Sequence, residues 1–465
     1  MPLSPLPDRL LIPPAAEWLG VAGLYAFAFH TAGSAFGFLG GTLLAVSLML
    51  LGRSGWRRLA SDPVVLVLGL LLAYLTLSAL ISYYRFGPAF STQIIKSYRG
   101  YAEILVLSVA IGWWLAHRPN MLFPVLIVAV SGLMLRIALH MDWAQPMSFE
   151  WREDMRMFGM SVIHFALSAT LALVGLLLFS RRFLASGASG VGLALRALAL
   201  ALGVAVFGYA LAASLVRMAW LAFLLVSPAI LAYVIWNRRQ PLPNRGLRYA
   251  ASLLIAGGLV GLVVSQGATI ADRIGVESRE LKAVATLKRE DLEGATSVPI
   301  RFQKIVWGLQ LTGERPFFGW GIGAWKPLGD RSADADAVWE PGDVHNLYVQ
   351  ILLEMGLVGA GLALVLLVLL GRGLWAAYRG GQLPADAVIW LVISVAVTAV
   401  WAMGNGKLWQ ANVRNPFTLL FGIAMAIHFL RRQFGPKIPA GAANGERHAA
   451  AHRGSGMSFS PPTGD

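Results

Sequence analysis

Three basic side chains stand out by type and position: Arg217, Arg301 and His345. Arg217 lies in Ala213-Ser214-Leu215-Val216-Arg217-Met218-Ala219-Trp220, between two apolar runs. A guanidinium there either snorkels from a helix end or offers phosphate oxygens a fork of donors. Arg301 opens the stretch Arg301-Phe302-Gln303-Lys304-Ile305-Val306-Trp307 and carries the same two readings, as an interfacial side chain or an anion ligand. His345 begins an apolar run that continues through Glu354, Gly356 and Gly359. Imidazole changes charge near neutral pH, yet a histidine at the end of a span reads, taken alone, as structural. Glu354 falls below the surface of that span and needs a hydrogen-bond partner. Gly356 with Ala360, and Gly359 with Ala363, are small-xxx-small pairs that favour close helix packing. Upstream, Gly319, Gly321 and Gly323 alternate in Arg315-Pro316-Phe317-Phe318-Gly319-Trp320-Gly321-Ile322-Gly323. No strand precedes them, so they read as a tight turn and not as a nucleotide loop.

The elements that must hold these residues are membrane spans. Of 465 residues, 57% are hydrophobic and 13% charged, about half the charge of an ordinary soluble domain. Apolar blocks such as Pro63 to Ser82 and Val191 to Ala213 are long enough to cross a hydrocarbon core of roughly 30 Å. Strand-like alternation is missing, which argues against a barrel. The chain has no cysteine, which removes disulfides, thiol catalysis and cysteine-based zinc sites. The net charge of +14 comes mostly from short loops between apolar blocks. That pattern points to topology signalling and attraction to anionic lipid, not to nucleic acid.

Spans are expected near 15–31, 34–51, 63–83, 101–117, 121–140, 157–179, 191–213, 218–236, 249–266, 344–370, 386–403 and 415–430. The expected fold is therefore an all-α polytopic membrane protein of about twelve transmembrane helices. Its parts are a segment 1–14, nine helices over 15–266, a large loop 267–343 with amphipathic helices, three helices over 344–430 and a tail 431–465. The tail is rich in Gly, Ala, Ser and Pro and reads as disordered. Met1 to Pro14 does not read as a cleaved signal peptide. There is no evident internal repeat and no pair of interrupted helices in matching halves, which weakens a transporter reading.

Basic residues follow every second span. They are Arg53, Arg57 and Arg58; Arg118; Arg181 and Arg182; Arg238, Arg239, Arg245 and Arg248; Arg372 and Arg379; and Arg431, Arg432 and Lys437. By the positive-inside rule these loops and both termini are cytoplasmic. The long loop from Gln266 to Val344, with Trp307, Trp320, Trp325 and Trp339, then belongs at the outer membrane–water boundary. Arg217, Arg301 and His345 all fall on that outward side.

Three elements together resemble the O-antigen ligase and polymerase superfamily: the His-Asn…Glu-x-Gly-x-x-Gly pattern from His345 to Gly359, Ser214-x-x-Arg217, and Arg301 followed by the Arg315–Gly323 segment. The resemblance implies a GT-C-like membrane glycosyltransferase in the inner membrane of a Gram-negative bacterium. Its donor would be a glycan on undecaprenyl diphosphate at the periplasmic face, and the acceptor of a ligase a sugar hydroxyl of the lipid A–core. Transfer would be inverting and metal-independent, with no cofactor. A polymerase or a protein O-oligosaccharyltransferase of the same superfamily is the alternative, and a transporter the alternative from another class.

Under that resemblance Arg217 and Arg301 stabilise the leaving diphosphate and His345 is the general base for the acceptor hydroxyl. A diphosphate leaves readily, so no general acid is needed. Lys96, Arg99, Arg136, Arg152 and Arg156 are further candidates for holding substrate. Glu150, Glu153 and Asp154 stand ready to pair with the last two. Asp334-Ala335-Asp336 is similar to the metal-binding Asp-x-Asp of nucleotide-sugar transferases but reads as a polar loop, and no metal site is expected. The expected partners are the lipid-linked donor, the lipid A–core acceptor and membrane lipids.

Because cysteine is absent, single introduced thiols report the topology. In intact spheroplasts a membrane-impermeant thiol reagent should label Arg301→Cys and leave Arg239→Cys unlabelled; labelling at 239 contradicts the arrangement.

Overall fold

A computed structural model of the chain describes residues 13–141, 156–185, 190–237, 297–330 and 343–434. The span expected at 249–266, Arg152, Arg239, Asp334, Asp336, Trp339 and both terminal segments lie outside them.

The described chain is a bundle of helices, as it must be when hydrocarbon offers no partner to an unpaired backbone group. In order they are α1 (Pro14–Ala28), α2 (Ser34–Met49), α3 (Arg53–Ala60), α4 (Pro63–Phe86), α5 (Ser91–His117), α6 (Leu122–His140), α7 (Val162–Ala185), α8 (Val191–Ala213), α9 (Arg217–Asn237), α10 (Ser297–Glu314), α11 (Trp325–Asp330), α12 (Leu347–Arg379), α13 (Ala385–Ala402) and α14 (Ala411–Phe434). Nine of these, among the described residues, are long and apolar enough to cross a membrane. The protein is an all-α polytopic membrane protein.

Helices α1 and α2 are 15 and 16 residues long, each about 23 Å at 1.5 Å per residue and short of a full crossing. They form a tight hairpin. A Cβ on Gly40 would stand 2.2 Å from the backbone nitrogen of Phe27, so only glycine lets the two axes come this close. Helix α2 then bends by 102° into α3. Arg53, Arg57 and Arg58 decorate this short helix. A small hairpin, β1 (Arg156–Met157) with β2 (Met160–Ser161), precedes α7. It turns through Phe158 and Gly159, both at positive φ.

Ion pairs tie the helices at the end that carries the basic loops. Asp62 caps α4 by accepting from the Val64 amide at 2.8 Å, and also receives His428 Nε2 at 3.1 Å and Arg432 Nη1 at 3.0 Å from α14. Arg182 grips Asp386 through two bonds, of 2.8 and 2.9 Å. Arg118 pairs with Glu17. The centre is formed by α5 and α14, which pack closely where Gly112 faces Met425 and Gly422 faces Ile111.

The feature that shapes the other end is a break in α12. Gly356 adopts φ 60° and ψ −167°, a region in practice open only to glycine. The break frees carbonyls on one side and amides on the other, and the segment around Phe317 takes them up. Trp320 N donates to Leu353 O at 2.8 Å and Gly321 N to Glu354 O at 3.0 Å. Leu357 N donates to Pro316 O at 2.8 Å and Val358 N to Phe317 O at 3.0 Å. The Tyr74 hydroxyl of α4 donates to Met355 O at 2.6 Å. Residues 316–323 therefore dock into the bundle among α4, α5 and α12. They form a packed segment and not the isolated tight turn that their glycines suggest. Gly356 serves backbone geometry more than a small-residue packing stripe.

This arrangement leaves no room for a side chain at the break. A Cβ on Gly356 would lie 2.4 Å from Phe317 O, whereas one on Gly361 meets nothing within 4 Å. Gly356→Ala should cost more than about 1 kcal/mol and lower the thermal midpoint in detergent, while Gly361→Ala should match or slightly exceed the parent. Equal midpoints for the two variants would contradict the break.

Candidate functional site

The polar residues at the broken-helix end gather around His345. Asn346 starts α12 by accepting from the Tyr348 and Val349 amides at 3.0 and 3.1 Å, which satisfies two otherwise orphan donors. Its side-chain amide donates to Met403 O at 3.0 Å, tying α12 to the α13–α14 connection. His345, just before this cap, is held at φ 56°. A side chain with a Cβ resists that conformation, and such strain concentrates where a group must be aimed. Leu215, two residues before Arg217, is the second described example at this end, at φ 50°. There the Ser214 hydroxyl accepts from Val216 N at 3.3 Å and shapes the turn that launches α9 at Arg217.

Asp343 lies directly behind the histidine and is fully buried. Its Oδ1 stands 3.5 Å from His345 Nδ1 and 3.7 Å from Lys407 Nζ. Its Oδ2 accepts from Gly406 N at 2.9 Å. On the other flank, Arg301 and Lys304 lie three residues apart on one face of α10. Both act electrostatically on the imidazole, as does Lys407. Lys304 is only 2% exposed. Burial, helped by these three cations and opposed by Asp343, pushes the His345 imidazole down to about 4. At neutral pH it is an uncharged base set among positive charges.

Arg217 opens α9, and its neighbour Met218 packs on Gly404, in the connection that supplies Gly406 and Lys407. Arg301 and Lys304 of α10 and Lys407 of the α13–α14 connection act on His345. The remaining candidates are spread more widely. Arg99 pairs with Glu103, which also receives Arg414 Nη2 at 2.7 Å, and Lys96 is exposed one turn earlier on α5. Arg136 is buried and donates to Thr31 O and, at 3.2 Å, to Phe158 O, which supplies the partner that its apolar span demands. Arg156 opens β1. Glu354 is buried and accepts from Gln350 Nε2 at 3.0 Å and Gly323 N at 3.2 Å, a structural role.

Residues 202–364, from within α8 to within α12, match a family model described as O-antigen ligase. The match supports membership of the O-antigen ligase superfamily. No curated protein matches the chain. The matched stretch includes Arg217, Arg301, Asp343 and His345, whereas Lys407 falls beyond it. The match points to a membrane glycosyltransferase-like protein.

Three residues of the cluster were not singled out from sequence. Lys304 was legible in principle, one turn after Arg301 on an amphipathic pattern. Asp343 sits two residues before His345, but an acidic residue in a polar loop has no signature of its own. Lys407 joins the site only through tertiary contact.

The charge state of His345 can be read directly. Histidine-selective NMR of the purified protein should show its imidazole titrating near pH 4, far below an ordinary value of about 6.5. Asp343→Asn removes the one charge that raises it, so the midpoint should fall further. A midpoint near 6.5, or an upward shift in the variant, contradicts this electrostatic picture.

Proposed function

We propose that the protein is an O-antigen ligase, moving a polysaccharide from undecaprenyl diphosphate to a sugar hydroxyl of the lipid A–core at the periplasmic face of the inner membrane. The observation that carries this reading is the buried cluster at one end of the bundle, in which Asp343 backs His345 and Arg301 and Lys304 act on it.

The acceptor oxygen attacks the anomeric carbon of the donor sugar. The carbon–oxygen bond to the diphosphate breaks, and the diphosphate leaves with the bonding electrons. Arg217 and Arg301 meet the charge that grows on it, in a setting where water is partly excluded. The acceptor proton passes to His345. Nδ1 faces Asp343, which leaves Nε2 to face the hydroxyl. Burial is the main cause of the low His345 pKa, and the cations that add to it are offset once an anionic diphosphate lies against them. The basicity of the imidazole then rises when a base is needed. Asp343 favours the imidazolium that forms and acts through His345, as a positioning residue. Arginine suits the clamp because its planar fork spans two phosphate oxygens, which lysine cannot do. Lys96, Arg99, Arg152 and Arg156 are candidates for holding the outer parts of the substrate. Arg136 holds the turn at Phe158.

The test is reconstitution of the full chain in liposomes with lipid-linked glycan and core lipid. The parent should extend core lipid and should not join two lipid-linked glycans; the reverse outcome makes it a polymerase. His345→Ala should bind donor lipid normally but transfer roughly 10²–10⁴-fold more slowly, the scale for losing a general base. His345→Gln should be nearly as poor. Arg217→Lys and Arg301→Lys should each lose at least about tenfold, roughly 1.4 kcal/mol. Transfer restored by glutamine would assign His345 to positioning and refute the base assignment.

A further inference from the structure

Two arginines outside the His345 cluster stack on one indole. The guanidinium carbons of Arg85 and Arg315 stand 5.6 and 4.5 Å from the Trp320 ring centroid. Arg85 Nη1 also donates to Trp320 O at 2.8 Å. The charge of Arg315 acts on Arg85. Among the described residues neither guanidinium pairs with a carboxylate. The ring face attracts each cation but does nothing for their mutual repulsion. An anion bridging the pair removes that repulsion and engages the donors that Arg85 does not use on Trp320.

The surroundings identify the anion. Arg85 is the penultimate residue of α4. Beside it Tyr83 and Tyr84 are 42% and 83% exposed, and on the docked segment Phe317 and Phe318 are 64% and 66% exposed. Exposed aromatics with basic side chains at the end of an apolar span mark the headgroup level of a bilayer. A ligand reaching both guanidiniums there has its phosphate at the membrane surface and its chains along the phenylalanines. It is separate from a diphosphate held at His345. Arg301 faces that histidine, and Arg315 comes fourteen residues later, just past the end of α10, about 20 Å along a helix axis.

We propose that Arg85 and Arg315 bind the phosphate of an anionic membrane phospholipid, on the flank of the bundle between α4 and residues 316–323. The bound lipid clamps that docked segment against α4.

A photoreactive benzoylphenylalanine in place of Tyr84 samples lipid at this position. The full-length protein is placed in nanodiscs of phosphatidylcholine containing a minor share of phosphatidylglycerol, irradiated, and the captured lipid is identified by mass spectrometry. Phosphatidylglycerol should be captured well above its share of the bilayer. Arg315→Gln leaves the Arg85–Trp320 hydrogen bond in place and should cut that enrichment by about fivefold, the scale for one basic side chain at a charged surface. Capture in simple proportion to bilayer composition by the parent overturns the proposal, as does undiminished enrichment in a monodisperse Arg315→Gln protein.

Discussion

A membrane helix interrupted partway leaves amides and carbonyls that hydrocarbon cannot hydrate, and each unpaired group costs several kcal/mol. In α12 the interruption at Gly356 is repaired by residues 316–321, which pair with both sides of the break. The repair demands close approach, so glycines stand on both partners: a Cβ on Gly319 would meet the backbone of Glu354 at 2.7 Å. Much of the active end follows from that constraint. The docked segment draws α10 down beside the first turns of α12, where Gly308 meets Val344 and Val349. That places Arg301 and Lys304 on the side of His345.

Electrostatics at the site follow from the same packing. His345 lies among the Asp343 carboxylate, the cations of α10 and Lys407 of the α13–α14 connection, and it loses hydration while gaining cationic neighbours. A carboxylate buried behind it accepts from Gly406 N and faces Lys407. Under the proposed function an anionic substrate would answer the cations and restore basicity to the imidazole. The opposite end shows a different use of charge: Asp62, His428 and Arg432 staple helix termini together.

Much of this was legible in the residues alone. The spans follow from apolar length, and the pattern around His345 together with Arg217 and Arg301 pointed to the superfamily that the match over residues 202–364 supports. Glu354 and Arg136 announced a need for partners, because ionisable groups at membrane depth are costly without them. What sequence could not convey was backbone geometry. Alternating glycines at 319, 321 and 323 look the same in a surface turn as in a segment threaded among α4, α5 and α12. Gly356 looks the same in a packing stripe as at a break, because only the φ angle distinguishes them. Asp343, Lys304 and Lys407 join the site through contacts between elements far apart in the chain, and no local pattern encodes that.

If His345 is a base acting on the acceptor, as proposed, and not a nucleophile toward the donor, transfer is a single displacement. The anomeric configuration of the newly formed glycosidic bond tests this most directly. Lipid-linked glycan of known configuration is converted by the reconstituted protein, and the linkage in the product is read by NMR. The account predicts inversion at the anomeric carbon. Retention would require a glycosyl–enzyme intermediate and would contradict it.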